Sequence, residues 1–125
     1  MAKHTQWTSH KGRRILFVNG AGLGEADLIV AYEEMKQELL RDGTGPLVLI
    51  DLSNTSLTTK AHSKAREVAE ATKAAGIPDG PCAVVGLSKL ASAVAQLLGR
   101  SAHFADTIDK GKEWLVRQDE MALKR

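Results

Sequence analysis

Several places in this 125-residue chain carry residue types that could do chemistry. Gly20-Ala21-Gly22-Leu23-Gly24 follows an apolar run and precedes a helical pattern, which is the setting of a dinucleotide-binding turn. In such a turn the backbone approaches a pyrophosphate at a helix N-terminus. The spacing departs from G-x-G-x-x-G, because the third glycine would fall on Glu25, whose carboxylate repels pyrophosphate. Asp51 also lies too far along to be the partner acid expected about 20 residues on. The five residues read as a sharp structural turn. Asp51 itself ends the apolar run Leu47 to Ile50, where ligands of open α/β sheets gather. A phosphoryl-accepting Asp there would want an acidic pair after the first strand to hold Mg²⁺, and Val18-Asn19-Gly20 stands in that place. Asp51 reads as a structural carboxylate that accepts N–H bonds in its own loop. Ser53, Thr58, Thr59 and Lys60 follow. Thr58 or Thr59 can cap a helix, and an anion there would sit at a helix N-terminus.

The remaining reactive types offer less. His4, His10, His62 and His103 show no metal-ligand spacing. His62 lies near Ser63, but no third group completes a triad. The single cysteine, Cys82, sits in an apolar run and behaves as a small hydrophobe. There is no P-loop, and no cofactor or metal is expected.

The elements that must position these residues follow from periodicity. Pro46 to Leu52 contains four apolar residues in a row and reads as a strand buried on both faces. Arg14 to Asn19 is a second strand, and Thr5 to Ser9 pairs with it across a turn at His10 to Arg13. Glu25 to Arg41 is a helix whose stripe is Leu28, Tyr32, Met35 and Leu39, widened by Ile29 and Leu40. A small-residue helix with Ala61, Ala65, Val68, Thr72 and Ala75 inward runs to about Ala75. Cys82 to Leu87 is a further strand, and Ser88 caps a helix at Lys89 to Leu98. Ala102 to Ala105 is a short strand with Phe104 inward. Asp106 or Thr107 caps a last helix, in which Ile108, Gly111 and Leu115 share a face. The alternation β-α-β-α-β-α-β-α predicts parallel pairing with right-handed crossovers.

Composition bounds the rest. The chain is 43% hydrophobic and 26% charged, enough for one globular domain with a real core. Seventeen basic residues are interspersed with fifteen acidic ones, so no basic footprint for nucleic acid exists. No apolar run is long enough to span a membrane, and no signal-peptide core is seen, which points to a cytoplasmic protein.

Leu47-Val-Leu-Ile-Asp-Leu-Ser-Asn-Thr-Ser56 resembles the central strand and loop of STAS domains, the sulfate-transporter and anti-sigma-factor-antagonist domains. Ala83-Val-Val-Gly-Leu-Ser88 and Phe104-Ala-Asp-Thr-Ile-Asp-Lys-Gly-Lys-Glu-Trp-Leu115 are similar to stand-alone bacterial STAS-like proteins. The resemblance covers roughly residues 10 to 118. It implies a mostly parallel sheet with helices largely on one face, and a role in protein-protein switching, with nucleotide or lipid binding in some members. In the anti-sigma antagonists an Asp-Ser pair opens the helix after the central strand, and its Ser is phosphorylated. Counted from Asp51, that pair falls on Thr59 and Lys60, so the acceptor serine is missing.

The expectations are therefore as follows. Residues 1–125 form a single STAS-like α/β domain with four to five strands and four helices, with 1–9 and 119–125 loosely ordered. It is a non-enzymatic regulatory or binding module that engages a protein partner, or a small anionic or lipid ligand, through Asp51, Ser53, Thr58, Thr59 and Lys60. The alternative is a small nucleotide-binding or phosphoryl-accepting domain that uses the 20–24 turn and Asp51. An exposed N-terminal strand edge leaves room for a homodimer.

Overall fold

A computed structural model describes residues 4–55, 58–78, 80–86 and 102–123. A five-stranded sheet with spatial order β1-β2-β3-β4-β5 forms its frame. The strands are β1 (Thr5–His10), β2 (Arg13–Asn19), β3 (Leu47–Asp51), β4 (Cys82–Val85) and β5 (Ala102–Ala105). β1 and β2 are antiparallel, and each later neighbouring pair is parallel. The sheet is thus mixed. The helices are α1 (Glu25–Asp42), α2 (Thr59–Ala74) and α3 (Ile108–Leu123). The helix expected at 89–98, with its Ser88 cap, lies outside the described residues.

The run Leu47 to Ile50 occupies the middle of the sheet, with parallel neighbours on both sides and all five residues of β3 buried. Its alternate side chains feed two cores, because a strand has a period of two. Val48 and Ile50, with Leu16, Val18 and Val84, meet α1 and α2. Leu47 and Leu49, with Ile15, Ala83 and Val85, meet Leu115 of α3. The strand order steps in one direction from β2 onward. Right-handed crossovers therefore put α1 and α2 on the same face. α3 follows the last strand and takes the opposite face. Gly111 lets it lie close, since a Cβ there would stand 2.7 Å from Leu49 Cδ1.

The α1 stripe Leu28, Tyr32, Met35 and Leu39 is fully inward. Leu40 is not: it is 37% exposed and lies outside the stripe's buried sector. Gly43 ends α1 in the left-handed conformation, with its N–H on Leu39 O. In α2, Ala61, Ala65, Val68 and Thr72 are buried as expected, whereas Ala75 is exposed beyond the helix end. Phe104 is 36% exposed, which corrects its inward assignment. β5 is only four residues long, and its core contact on the α3 side comes from Ala105.

Within the expected loose ends, residues 5–9 and 119–123 are regular. Residues 5–9 belong to β1, and α3 continues to Leu123. Side-chain bonds tie the two together: His10 Nε2 and Lys11 Nζ reach Glu113 at 2.7 and 2.8 Å, and Arg13 reaches Asp119 at 3.2 Å. Lys11 and Gly12 both have positive φ, as the favoured two-residue hairpin turn requires.

Candidate functional site

The carboxyl ends of β2, β3 and β4 converge on the loop after Asp51. Asp51 is buried, and its Oδ1 accepts from Ser53 N at 3.0 Å and Ser53 Oγ at 2.7 Å. This short-range turn is the usual reason for an Asp at such a place. The backbone locks the same loop to the glycine turn after β2. Gly20 N donates to Asp51 O at 2.8 Å, and Gly22 N to Ser53 O at 2.8 Å. Thr55 Oγ1 donates to Gly20 O from the other side. Leu52 N donates to Val85 O at 2.9 Å, which ties in the end of β4. Gly86 then passes Ser53 with φ +94°, and a Cβ there would stand 2.6 Å from Ser53 Cα and N. Only glycine combines that φ with that approach.

The N–H groups of residues 20–23 in the glycine turn are engaged. Gly20 N and Gly22 N bond the Asp51 loop, Ala21 N goes to Asn19 Oδ1 at 3.3 Å, and Leu23 N goes to Gly20 O at 3.2 Å. A phosphate cradle needs such N–H groups turned toward an open site. Here they hold two loops together.

The threonines and Lys60 do different work. Thr58 is the N-cap of α2, its side chain accepting from Ala61 N at 3.3 Å. Thr59 and Lys60 lie in the first turn and are exposed. The structure thus brings Asp51 and Ser53 into one rigid knot, gives Thr58 to the helix end, and leaves Thr59 and Lys60 on the surface.

From Thr59 the exposed surface continues along α2 as a shallow groove of about 270 Å³. His62, Ser63, Arg66, Glu67 and Glu70 line it with Thr59. The sequence reading did not put His62 and Arg66 with the candidate residues. Their spacing from Thr59, three and then four residues on, is the signal that places them on one helical face. The flank of α2 that adjoins the groove at Glu67 is closed by a charge network with α1. Lys36 bonds Glu33 at 3.0 Å and Glu67 at 3.1 Å, and Lys64 bonds the same two carboxylates. Bonds from Lys64, then Gln37, hold Glu33 down to about 2. Burial opposes the charge on Lys64, yet its bonds to Glu33 and Glu67 outweigh that and raise it above the ordinary lysine value.

Among the described residues no His/Cys/Asp/Glu group could hold a metal ion, and no helix is long and apolar enough to cross a membrane.

No protein-family model matches the chain, and no curated protein matches it in sequence. Among solved structures, it is similar to a crystal structure from Thermotoga maritima described as a "putative anti-sigma factor antagonist". The two are 17% identical with a TM-score of 0.58, over 90% of this chain and 95% of that one. The likeness shows the fold: the chain is built as a STAS-like α/β domain.

Proposed function

We propose that the protein is a non-enzymatic regulatory module that binds a protein partner through the first turn of α2 and the groove running from it. The observation that carries this reading is a contrast within one surface. Asp51, Ser53 and Thr55 are bonded into a rigid support, while Thr59 and Lys60 stand exposed at the helix start. A rigid platform beneath exposed side chains lowers the ordering cost of association. The STAS-like fold and the description of the Thermotoga maritima protein support a role of this class. A small anionic or lipid ligand at the same helix start is a narrower form of the reading, with Lys60 supplying the charge. A phosphate on Thr59 would likewise be favoured there.

The alternative, a nucleotide at the 20–24 turn, meets the spent donors described above. Asp51 as phosphoryl acceptor meets its burial and its bonds to Ser53. The test is affinity capture from the source cell with the wild-type chain and a Thr59→Ala/Lys60→Glu variant, both checked by thermal unfolding. A protein retained by the first and lost by the second, at equal stability, supports the surface. Equal retention by both removes it.

A further inference from the structure

We infer that Asn19-Gly20 is a latent self-modification site: its side-chain amide is lost through a cyclic imide when the loop after β2 opens, and the bonds that fix Gly20 hold the reaction off in the closed fold. The inference does not depend on the α2 surface.

The sequence supplies the reactants. The chain has two asparagines, Asn19 and Asn54, and a glycine follows only the first. In the reaction Gly20 N–H gives its proton to a solvent base, and the nitrogen attacks Asn19 Cγ. A C–N bond forms, the bond from Cγ to the side-chain nitrogen breaks, and that nitrogen leaves as ammonia. Water then opens the imide at one of its two carbonyls and leaves either an aspartate or an isoaspartyl link at position 19. Glycine favours the attack, because it has no side chain to shield its nitrogen and its backbone turns freely. Asn54 is followed by Thr55, whose branched side chain crowds the same approach.

Packing requires that glycine and also restrains it. A Cβ at position 20 would stand 2.9 Å from Asp51 O and 3.1 Å from Leu52 Cδ2, so no larger residue replaces it without a shift. Asn19 is exposed, so water and base reach its amide. The attacking nitrogen is held elsewhere: Gly20 is buried, and its N donates to Asp51 O at 2.8 Å. Thr55 Oγ1 donates to Gly20 O, which fixes the other end of the same residue. Asn19 closes β2, with its N on His4 O at 2.7 Å and its Oδ1 accepting from Ala21 N at 3.3 Å. Ring closure needs the Asn19 ψ to leave the extended value of a strand, so that Gly20 N swings toward Cγ. The Gly20–Asp51 bond must break for that swing. The reaction therefore follows the open population of the loop.

The isoaspartyl product does not restore the lock. It adds a methylene to the backbone between residues 19 and 20 and moves Gly20 N off Asp51 O. Either product puts a carboxylate at position 19, the residue paired in register with the buried Asp51. Like charges on neighbouring strands repel.

The test is peptide mapping by mass spectrometry on the full chain, incubated at mildly alkaline pH with and without denaturing urea. The mass gain of deamidation is assigned to position 19 or 54 and followed in time. In urea Asn19 converts and Asn54 lags. In the folded chain conversion at Asn19 is slower by at least about tenfold. Thr55→Val removes the bond to Gly20 O. Shown to be folded by circular dichroism, it converts faster than the wild type without urea and equally fast with it. Should that variant not fold, the wild-type comparison still decides. Equal rates at Asn19 in the folded and the urea-treated chain overturn the inference. So does a folded Thr55→Val chain that converts no faster than the wild type. The converted chain, separated by ion exchange, unfolds at a lower Tm than the parent; an unchanged Tm overturns the claim that conversion breaks the lock.

Discussion

Tyr32 offers a sharp test of the packing argument, because it is the only tyrosine in the chain. Its side chain is fully buried between α1 and the sheet, and among the described residues its hydroxyl has no hydrogen-bond partner. Burying a hydroxyl without a partner costs about 1–3 kcal/mol on protein mutational scales. Tyr32→Phe removes that cost and leaves a void smaller than a methyl group, worth less than about 1 kcal/mol. The variant should therefore be more stable by roughly 0–2 kcal/mol, which for a domain of this size is a few degrees in Tm. Urea unfolding with an unchanged slope measures it. A loss of more than about 1 kcal/mol would show that the hydroxyl is satisfied in the folded protein and would refute the reasoning. The same residue gives a pH test. Burial, and then Cys82, push the phenol above its ordinary value. The folded state keeps a proton that the unfolded state releases above about pH 10, so stability falls as pH rises past that point. Tyrosinate absorbance should appear only together with unfolding. A separate, earlier absorbance step in the folded protein would contradict the burial.

Other perturbations follow from the same geometry. Glu33 is held at about 2, below the usual glutamate value, so the stability it adds is present at neutral pH and is lost as pH falls from about 4.3 toward 2. The side chain is 39% exposed, so solvent screening keeps the effect under about 1 kcal/mol. Glu33→Gln should flatten that part of the acid limb in a Tm-versus-pH series. Gly86→Ala should cost at least about 1–3 kcal/mol, from strain at φ +94° and from collision with Ser53, read by urea unfolding. Thr58→Ala should lose about 0.5–1 kcal/mol, the low end for an N-cap, because its bond to Ala61 N is long at 3.3 Å. Lys60→Glu should leave stability within about 0.5 kcal/mol, since the residue is exposed.

The strands and helices were legible where one period dominates. Leu47 to Ile50 could only be a strand buried on both faces, and it proved to be the middle of the sheet. Leu28, Tyr32, Met35 and Leu39 could only be one helix face. Patterning misled where an apolar residue lay at the border of its stripe or its strand. Leu40 and Phe104 are apolar, yet the neighbours that would cover them are set by tertiary geometry. The ends were misjudged for a different reason. Arg13 and Asp119 are unremarkable surface charges in sequence, and only the fold brings them within 3.2 Å. At the candidate site, the role of Asp51 was readable from Ser53 two residues on. The spending of Gly20 N and Gly22 N was not, because those two bonds join residues about thirty positions apart.

That donor inventory bears on which class of function the loop region can serve. A strand-end loop recognises an anion when its N–H groups are free and its carboxylates are few. Here Gly20 N and Gly22 N bond the loop after β3, Ala21 N and Leu23 N bond Asn19 and Gly20 next to them, and a buried carboxylate sits beside the turn. To bind a phosphate through Gly20 N and Gly22 N, the chain would have to break the link between the β2 and β3 loops and lose the support beneath α2. Binding at Thr59 and Lys60 requires no such rearrangement. The two events would thus read differently in amide exchange: a ligand at the turn would speed exchange at Gly20 and Gly22, whereas a partner on α2 would leave them protected.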